Sequence, residues 1–427
     1  MDAGKSYHRL FSRIIDISTP HIINTVYNNK EIYKDIPSGY PMTSEGPGKA
    51  RMQQEEKMKF SVENLDLNKA LSVVSHALPQ RAAIPVLECV FINAEGAALT
   101  LKTSDTELSI ITSIPAEVQE EGTIMVPMRT LYDLVRTYPN ERVFFYADES
   151  YRINIKCSIS DVDIPGQNPA DYPSFKAPSD SGGVLMDNEV FRDIVRETVF
   201  ACASLTSLNP VLTGVFIETG DDGLSFTALD GFKLATRFDR ADIGSSGGIS
   251  AIVPGRALNE ILKIAAMYDN EPVRFFSSSG RLNVFIGQTV IMSSLIEGTY
   301  INYRALIPNE VTSVVKADVT DLLSSISRAS LLTDESRNSL IKMDFSERGL
   351  VITSSSSKGR ITENVSVEKN GEDITIAFNS RYFIDILKNI RDERIVIEFK
   401  DQLNPCLIKP VDSDRFLYMI MPVRYTE

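Results

Sequence analysis

The chain has 427 residues, 43% of them hydrophobic and 8% aromatic, an ordinary globular composition with length for about three domains, each able to bury a core. Its 44 basic residues face 57 acidic ones, and the formal net charge of −13 excludes a protein that grips nucleic acid over its whole surface, so that any DNA contact must be local, weak or topological. No stretch approaches the ~18 continuous apolar residues of a membrane span. Cys89, Cys157, Cys202 and Cys406 lie far apart without a Cys-x-x-Cys pair, which points away from zinc and disulfides and toward reduced core thiols. With no basic-then-apolar start either, the expected location is the cytoplasm.

Along the chain, residues 1–57 stand apart. They gather Pro, Gly, Ser and Asn, hold two of the three histidines, and carry 8 basic against 7 acidic residues, which leaves 36 against 50 for the remainder. Positions 11–23 have the spacing of a short helix, but no strand pattern follows. We expect a mobile leader there, with the folded protein beginning near Met58. Helical spacing then appears in Leu67, Ala70, Leu71, Val74 and Leu78, and again in Phe191, Ile194, Val195, Thr198 and Cys202. Alternation with period two marks strands at Ile153, Ile155 and Cys157, at Leu282, Val284 and Ile286, and at Ile395, Ile397 and Phe399.

Self-similarity is the most informative feature. The run Val126-Pro127-Met128-Arg129-Thr130-Leu131 returns as Val253-Pro254-Gly255-Arg256-Ala257-Leu258 and as Phe378-Asn379-Ser380-Arg381-Tyr382-Phe383, at offsets of 127 and 125 residues. Pro85-Val86-Leu87 likewise recurs as Pro210-Val211-Leu212. Such periods are too long for a solenoid and mean one domain present three times. The boundaries fall at 58–182, 183–310 and 311–427. Inside each copy a helix-then-strands pattern runs twice, so each domain is expected to be α+β, with two helices packed on antiparallel sheets.

The second helix of every copy opens on Arg and carries a cation seven residues later: Arg129 and Arg136, Arg256 and Lys263, Arg381 and Lys388. Seven residues is close to two turns, which puts each pair on one face. Asp133, Glu260 and Asp385 follow the first Arg by four residues, so the bland reading is a solvated face with an i,i+4 ion pair. Three identical placements in an acidic chain favour a shared basic surface for phosphates. First helices add Lys69, Arg192, Arg196 and Arg328, and Arg81 lies just past the first of them. Such a surface binds duplex DNA without reading its sequence.

Catalytic signals are weak. Gly244-Ser245-Ser246-Gly247-Gly248 matches a nucleophile elbow formally, but no buried strand precedes it and the only histidine after the leader, His76, sits in another repeat, so it reads as a linker loop. A phosphate-binding loop and a His-Glu-x-x-His site are both missing, and neither enzyme activity nor a cofactor or metal is expected.

Three helix-backed repeats ending in Tyr418-Met419-Ile420-Met421-Pro422-Val423-Arg424 closely resemble the bacterial DNA sliding clamp, the beta subunit of DNA polymerase III. The likeness runs from Met58-Lys59-Phe60 to Arg424, and its other specific pieces are Asp230-Gly231-Phe232-Lys233-Leu234-Ala235 and residues 300–308. The resemblance implies a ring-shaped head-to-tail homodimer with helices lining the hole, a processivity factor that encircles duplex DNA and tethers the DNA polymerase III alpha subunit, the clamp-loader complex and other clamp-binding-motif proteins. A ring that holds DNA by enclosure needs only weak phosphate contacts, which reconciles an acidic chain with DNA. The alternative from the residues alone is an acidic triplicated scaffold that binds proteins and never encircles DNA.

Carried over position by position, the family's partner-peptide pocket falls on Leu212, Leu229, Gly231, Phe232, Leu234, Ile301, Leu306, Tyr382, Leu403, Met421, Pro422, Val423 and Arg424. Leu229 and Phe232 stand where familiar clamps have threonine and histidine, which implies a more apolar pocket. Ile301 and Ala305 replace a proline and an arginine of some relatives. Tyr425, Thr426 and Glu427 run beyond the usual end, in a position to shield or extend the pocket.

Overall fold

The computed structural model describes residues 56–79, 81, 84–179, 182–220, 223–240, 248–333 and 339–425. The expected leader, up to its last two residues, and Gly244 to Gly247 of the elbow-like match lie outside these residues. The first repeat comprises β1 (Glu56–Glu63), α1 (Asn64–Ser75), β2 (Cys89–Glu95), β3 (Ala98–Ser104), β4 (Leu108–Pro115), β5 (Glu117–Glu120), β6 (Gly122–Pro127), α2 (Met128–Val135), β7 (Arg142–Asp148), β8 (Arg152–Cys157) and β9 (Ser160–Pro165). The second comprises β10 (Val184–Met186), α3 (Asn188–Val199), β11 (Gly214–Gly220), β12 (Gly223–Leu229), β13 (Lys233–Asp239), β14 (Ser250–Pro254), α4 (Gly255–Ala265), β15 (Val273–Ser278), β16 (Arg281–Ile286) and β17 (Thr289–Ser294). The third comprises β18 (Ser313–Asp318), α5 (Val319–Ser330), β19 (Leu340–Ser346), β20 (Gly349–Ser356), β21 (Gly359–Val365), β22 (Val367–Gly371), β23 (Ile374–Asn379), α6 (Ser380–Leu387), β24 (Arg394–Phe399), β25 (Cys406–Pro410) and β26 (Phe416–Ile420). Each copy is therefore a strand, a helix and three strands, run twice, with one extra strand, β5 or β22, between the two runs of the first and third copies.

Local chemistry explains where the helices start. Asp187, Asp318 and Asn379 cap α3, α5 and α6 with side-chain oxygens that accept from the first free backbone N–H groups. Asn64 and Asn188 open α1 and α3 and donate from buried amides to carbonyls at the far end of the repeat's second helix: Tyr138 and Pro139 in one copy, Ala265, Tyr268 and Glu271 in the next. The spacing overran the helix ends. Leu78 and Cys202 lie past α1 and α3, and Arg136 and Lys388 are C-caps, because the stripe of core-facing residues continues through the closing turn. The residues that alternate in β8, β16 and β24 are all buried. The four cysteines are free thiols, three of them buried.

The sheets do not stop at domain boundaries, which periodicity could not reveal. β17 pairs antiparallel with β4, so one eight-stranded sheet runs β10-β15-β16-β17-β4-β3-β2-β6 through the first two domains. β26 pairs with β13, and a nine-stranded sheet, β14-β11-β12-β13-β26-β25-β24-β18-β22, joins the second and third. Two sheets stay inside one domain: β5-β1-β7-β8-β9 in the first and β21-β20-β19-β23 in the third. Each joint is thus a ladder of backbone hydrogen bonds.

Candidate functional site

The basic helix positions are placed as follows. Arg81, Arg129, Arg136, Arg256, Lys263, Arg328, Arg381 and Lys388 are exposed, while Arg192 and Arg196 are half-buried. Asp133, Glu260 and Asp385 each meet a cation other than the Arg four residues before them. Asp133 meets Arg136 at 3.2 Å, and Asp385 meets Lys233 of the second domain at 2.9 Å. Glu260 bonds Lys263 at 2.8 Å and His76 of the first domain at 2.6 Å. Arg256 itself reaches across the first joint to Asp105 at 2.8 Å, where the acid's side chain is only 6% exposed. Arg328 is held by Glu363 and Arg196 by Asp193. For Arg256 the physical reason is direction: a helical side chain leans toward the helix N-terminus, away from the acid four residues on and toward Asp105.

At the second joint the expected pocket residues fall into a floor and a rim. Leu212, Leu229 and Leu234 are buried in one apolar cluster, together with Val211, Ile252, Tyr300, Tyr303, Leu407 and Met419, none of which was expected at the pocket. Leu229 and Leu234 face each other across the closing pair of the β12–β13 hairpin, and Leu234 pairs with Met419 across the joint. The turn between them is set by Asp230, whose carboxylate accepts from the N–H groups of Phe232 and Lys233 at 2.8 and 2.9 Å, and by Gly231 at φ +95°. Phe232 is thereby presented with 57% of its surface exposed, stacked on Tyr382 of the third domain at 5.7 Å and 15°. The Lys233 ammonium lies 5.2 Å over the same Tyr382 ring. Burial, and then Asp230 and Asp385, push the Tyr382 phenol up.

The remaining wall comes from the segment after β26. Met421 N–H donates to the Phe232 carbonyl at 2.8 Å and Val423 N–H to the Ala377 carbonyl on β23 at 2.8 Å, so the half-buried residues 421–423 bridge two domains, with Arg424 exposed beyond them. Ile301, Leu306 and Leu403 are 37%, 45% and 68% exposed, rim positions outside the buried cluster. A neighbouring depression between Phe216, Glu218, Leu295 and Arg304 takes in Ile301 and no other expected pocket residue. Neither Leu407 nor Met419 was expected at the pocket. Only the joint puts them beside Leu234.

At the same joint lies a buried ion pair that local periodicity could not reveal. Arg237 donates to Glu197 at 2.7 Å, with side chains 10% and 3% exposed, and Arg237 also donates to the Arg415 carbonyl of the third domain. Burial holds Glu197 above the usual carboxylate range although Arg237 opposes it. Desolvation raises the half-buried Cys202 thiol to about 12, which disfavours its reactive thiolate. Among the described residues no cluster of His, Cys, Asp and Glu is arranged to hold a metal, and no helix is long and apolar enough to cross a membrane.

Three fused α+β domains, joined edge to edge by shared sheets with a buried apolar cluster at the second joint, have the architecture of a DNA clamp. Models of the N-terminal, central and C-terminal domains of the DNA polymerase III beta subunit match residues 58–178, 185–302 and 304–424. The chain is 30% identical to the beta sliding clamp of Halalkalibacterium halodurans over 366 residues, 82% of this chain and 95% of that protein. To the beta sliding clamp of Staphylococcus epidermidis it is 29% identical over 377 residues, 86% of this chain and 99% of the relative. The crystal structure of the DNA polymerase sliding clamp from Bacillus subtilis superposes with a TM-score of 0.83 at 26% identity, covering 87% of this chain and all of that one. The chain belongs to the beta sliding clamp family of DNA polymerase III beta subunits. It is a non-catalytic processivity factor of DNA replication.

Proposed function

We propose that two copies of this chain close head to tail into a ring around duplex DNA. The observation that carries this is a pair of unused strand edges. In the first and second domains β4 and β13 hold equivalent places, and each is paired by the last strand of the next domain, β17 or β26. The third equivalents are β21 and β9, and among the described residues β21 pairs only with β20 and β9 only with β8. An open edge is a template for another chain, and joining β21 of one copy to β9 of a second repeats the joint already made twice inside the chain. Exposed Asp163 on β9 and Arg360 on β21 carry opposite charges.

In this reading the domains span 58–182, 183–310 and 311–427. Arg81, Arg129, Arg136, Arg192, Arg196, Lys263, Arg328, Arg381 and Lys388 present cations to the DNA backbone, while Arg256 is engaged by Asp105 and contributes mainly to the first joint. The hollow of Leu212, Leu229 and Leu234, rimmed by Gly231, Phe232, Ile301, Leu306, Tyr382, Leu403 and residues 421–424, takes aliphatic and aromatic anchors of the DNA polymerase III alpha subunit, the clamp loader and other clamp-binding-motif proteins in the cytoplasm. Size-exclusion chromatography with light scattering tests the ring, with twice the chain mass expected, and retention on circular DNA with loss from linear DNA tests enclosure. A monomer at micromolar concentration, or equal loss from both DNAs, overturns the proposal.

A further inference from the structure

We infer that Tyr425 is a positioning residue for the partner pocket, acting through Lys342 to hold the wall made by residues 421–423. This rests on the pocket reading above and adds to it a group outside the pocket itself. Among the described residues, two backbone bonds tie the wall down: Met421 N–H on the Phe232 carbonyl and Val423 N–H on the Ala377 carbonyl. A single backbone bond near a free-running segment opens readily, so the wall needs a third fixture to stay in place.

Tyr425 supplies it, and its position decides between shielding and support. It sits against the third domain's own sheet, with the Lys342 ammonium 5.9 Å from its ring. Lys342 on β19 is itself aimed by Asp344, 3.3 Å away, and Asp344 accepts from Thr375 Oγ1 on β23 at 2.7 Å. The chain Thr375, Asp344, Lys342, Tyr425 therefore runs across the two strands next to Ala377, and Tyr425 draws the segment onto β23 two residues after the Val423 bond. Tyr425 is 37% exposed, so the latch is accessible and can open without unfolding the core. Held, it keeps Pro422 and Val423 at the pocket rim. Released, it lets the rim swing and lowers the fraction of protein ready to bind.

The test compares Tyr425→Ala, Tyr425→Phe and Lys342→Met in the full chain. The first readout is amide exchange at Val423, which needs no ligand. Tyr425→Ala and Lys342→Met should each accelerate it about tenfold, and Tyr425→Phe, which keeps the ring under the ammonium, should restore most of the protection. The second readout is the affinity of a fluorescein-labelled peptide with Leu and Phe anchors, expected to weaken three- to tenfold in the same two variants, with the melting temperature unchanged. Unaltered Val423 exchange in Tyr425→Ala overturns the latch whatever the peptide does. Faster exchange with unaltered affinity also overturns it, because the wall then moves without consequence. If the peptide fails to bind wild type, or binds equally to Leu234→Ala with Met421→Ala, the pocket reading falls and the positioning role falls with it.

Discussion

The two domain joints are built from equivalent strands and differ in what fills them. At the first, the hairpin of β3 and β4 closes on Ser104 and Ser109, whose hydroxyls bond at 2.8 Å, and the strands opposite present Met292 and Asn283. At the second, the same ladder positions carry Leu229, Leu234, Met419 and Leu407. Three residues further along, Thr112 meets Thr289 hydroxyl to hydroxyl at 2.8 Å in the first joint, whereas Arg237 stands opposite Phe416 and reaches Glu197 in the second. Backbone hydrogen bonds make the joint and are indifferent to side chains. A handful of side chains decides whether the joint is a polar seam or an apolar hollow.

The strongest way to break this contrast is Arg237→Met. It strips the buried Glu197 carboxylate of its closest cation, and an uncompensated buried charge costs about 3–5 kcal/mol. The equivalent cut at the first joint, Thr112→Val, removes one neutral hydrogen bond at about 1 kcal/mol. Glu197 already sits above the usual carboxylate range through burial, so its protonated form is favoured in the fold, and the Arg237→Met loss should shrink as pH falls. Calorimetry showing equal losses at the two joints would remove the distinction.

Next in size is the hollow itself. Leu234→Ala with Met421→Ala should weaken the labelled peptide at least tenfold by fluorescence anisotropy, about 1.4 kcal/mol or more. Ser104→Ala with Ser109→Ala at the first joint should leave affinity as it was. A collapsed melting temperature in the leucine variant would mark the cluster as ordinary core.

A smaller effect is expected from the helix cations. Reversing Arg129, Arg381 and Lys388 to Glu should speed loss from circular DNA at low salt and leave the dimer intact, the difference vanishing at high salt. Arg256→Glu should behave otherwise, because it sets an acid against Asp105 and loosens the first joint. Retention equal to wild type in the triple variant would leave those cations without a DNA role.

The smallest effect belongs to the first joint's own ion pair. Glu260 loses ground to burial, but bonds from Lys263 and His76 hold it below its ordinary value of 4.5. Its folded value is depressed, so the stabilisation is present above about pH 4.5 and fades as pH falls through the lower folded value. Glu260→Gln should flatten the acid limb of a melting-temperature profile slightly. An unchanged limb would place the acid sensitivity elsewhere.

Repetition was legible because it is a property of the residue order. The Val126, Val253 and Phe378 runs, the alternation in β8, β16 and β24, and the stripes of α1 and α3 each report a local period, and local periods decide helix, strand and copy number. Part of the buried cluster at the second joint was legible too: Leu212, Leu229 and Leu234 stand in motifs that the resemblance picks out. Other features were not local. That Leu407 and Met419 complete the floor, that Arg256 serves Asp105 instead of Glu260, and that Glu197 finds Arg237 all depend on β4 meeting β17 and β13 meeting β26. Those pairings are backbone contacts between segments well over a hundred residues apart in sequence. A ladder hydrogen bond carries no side-chain signature, so the sequence alone determined what each domain is, and only the tertiary structure decided what lies between them.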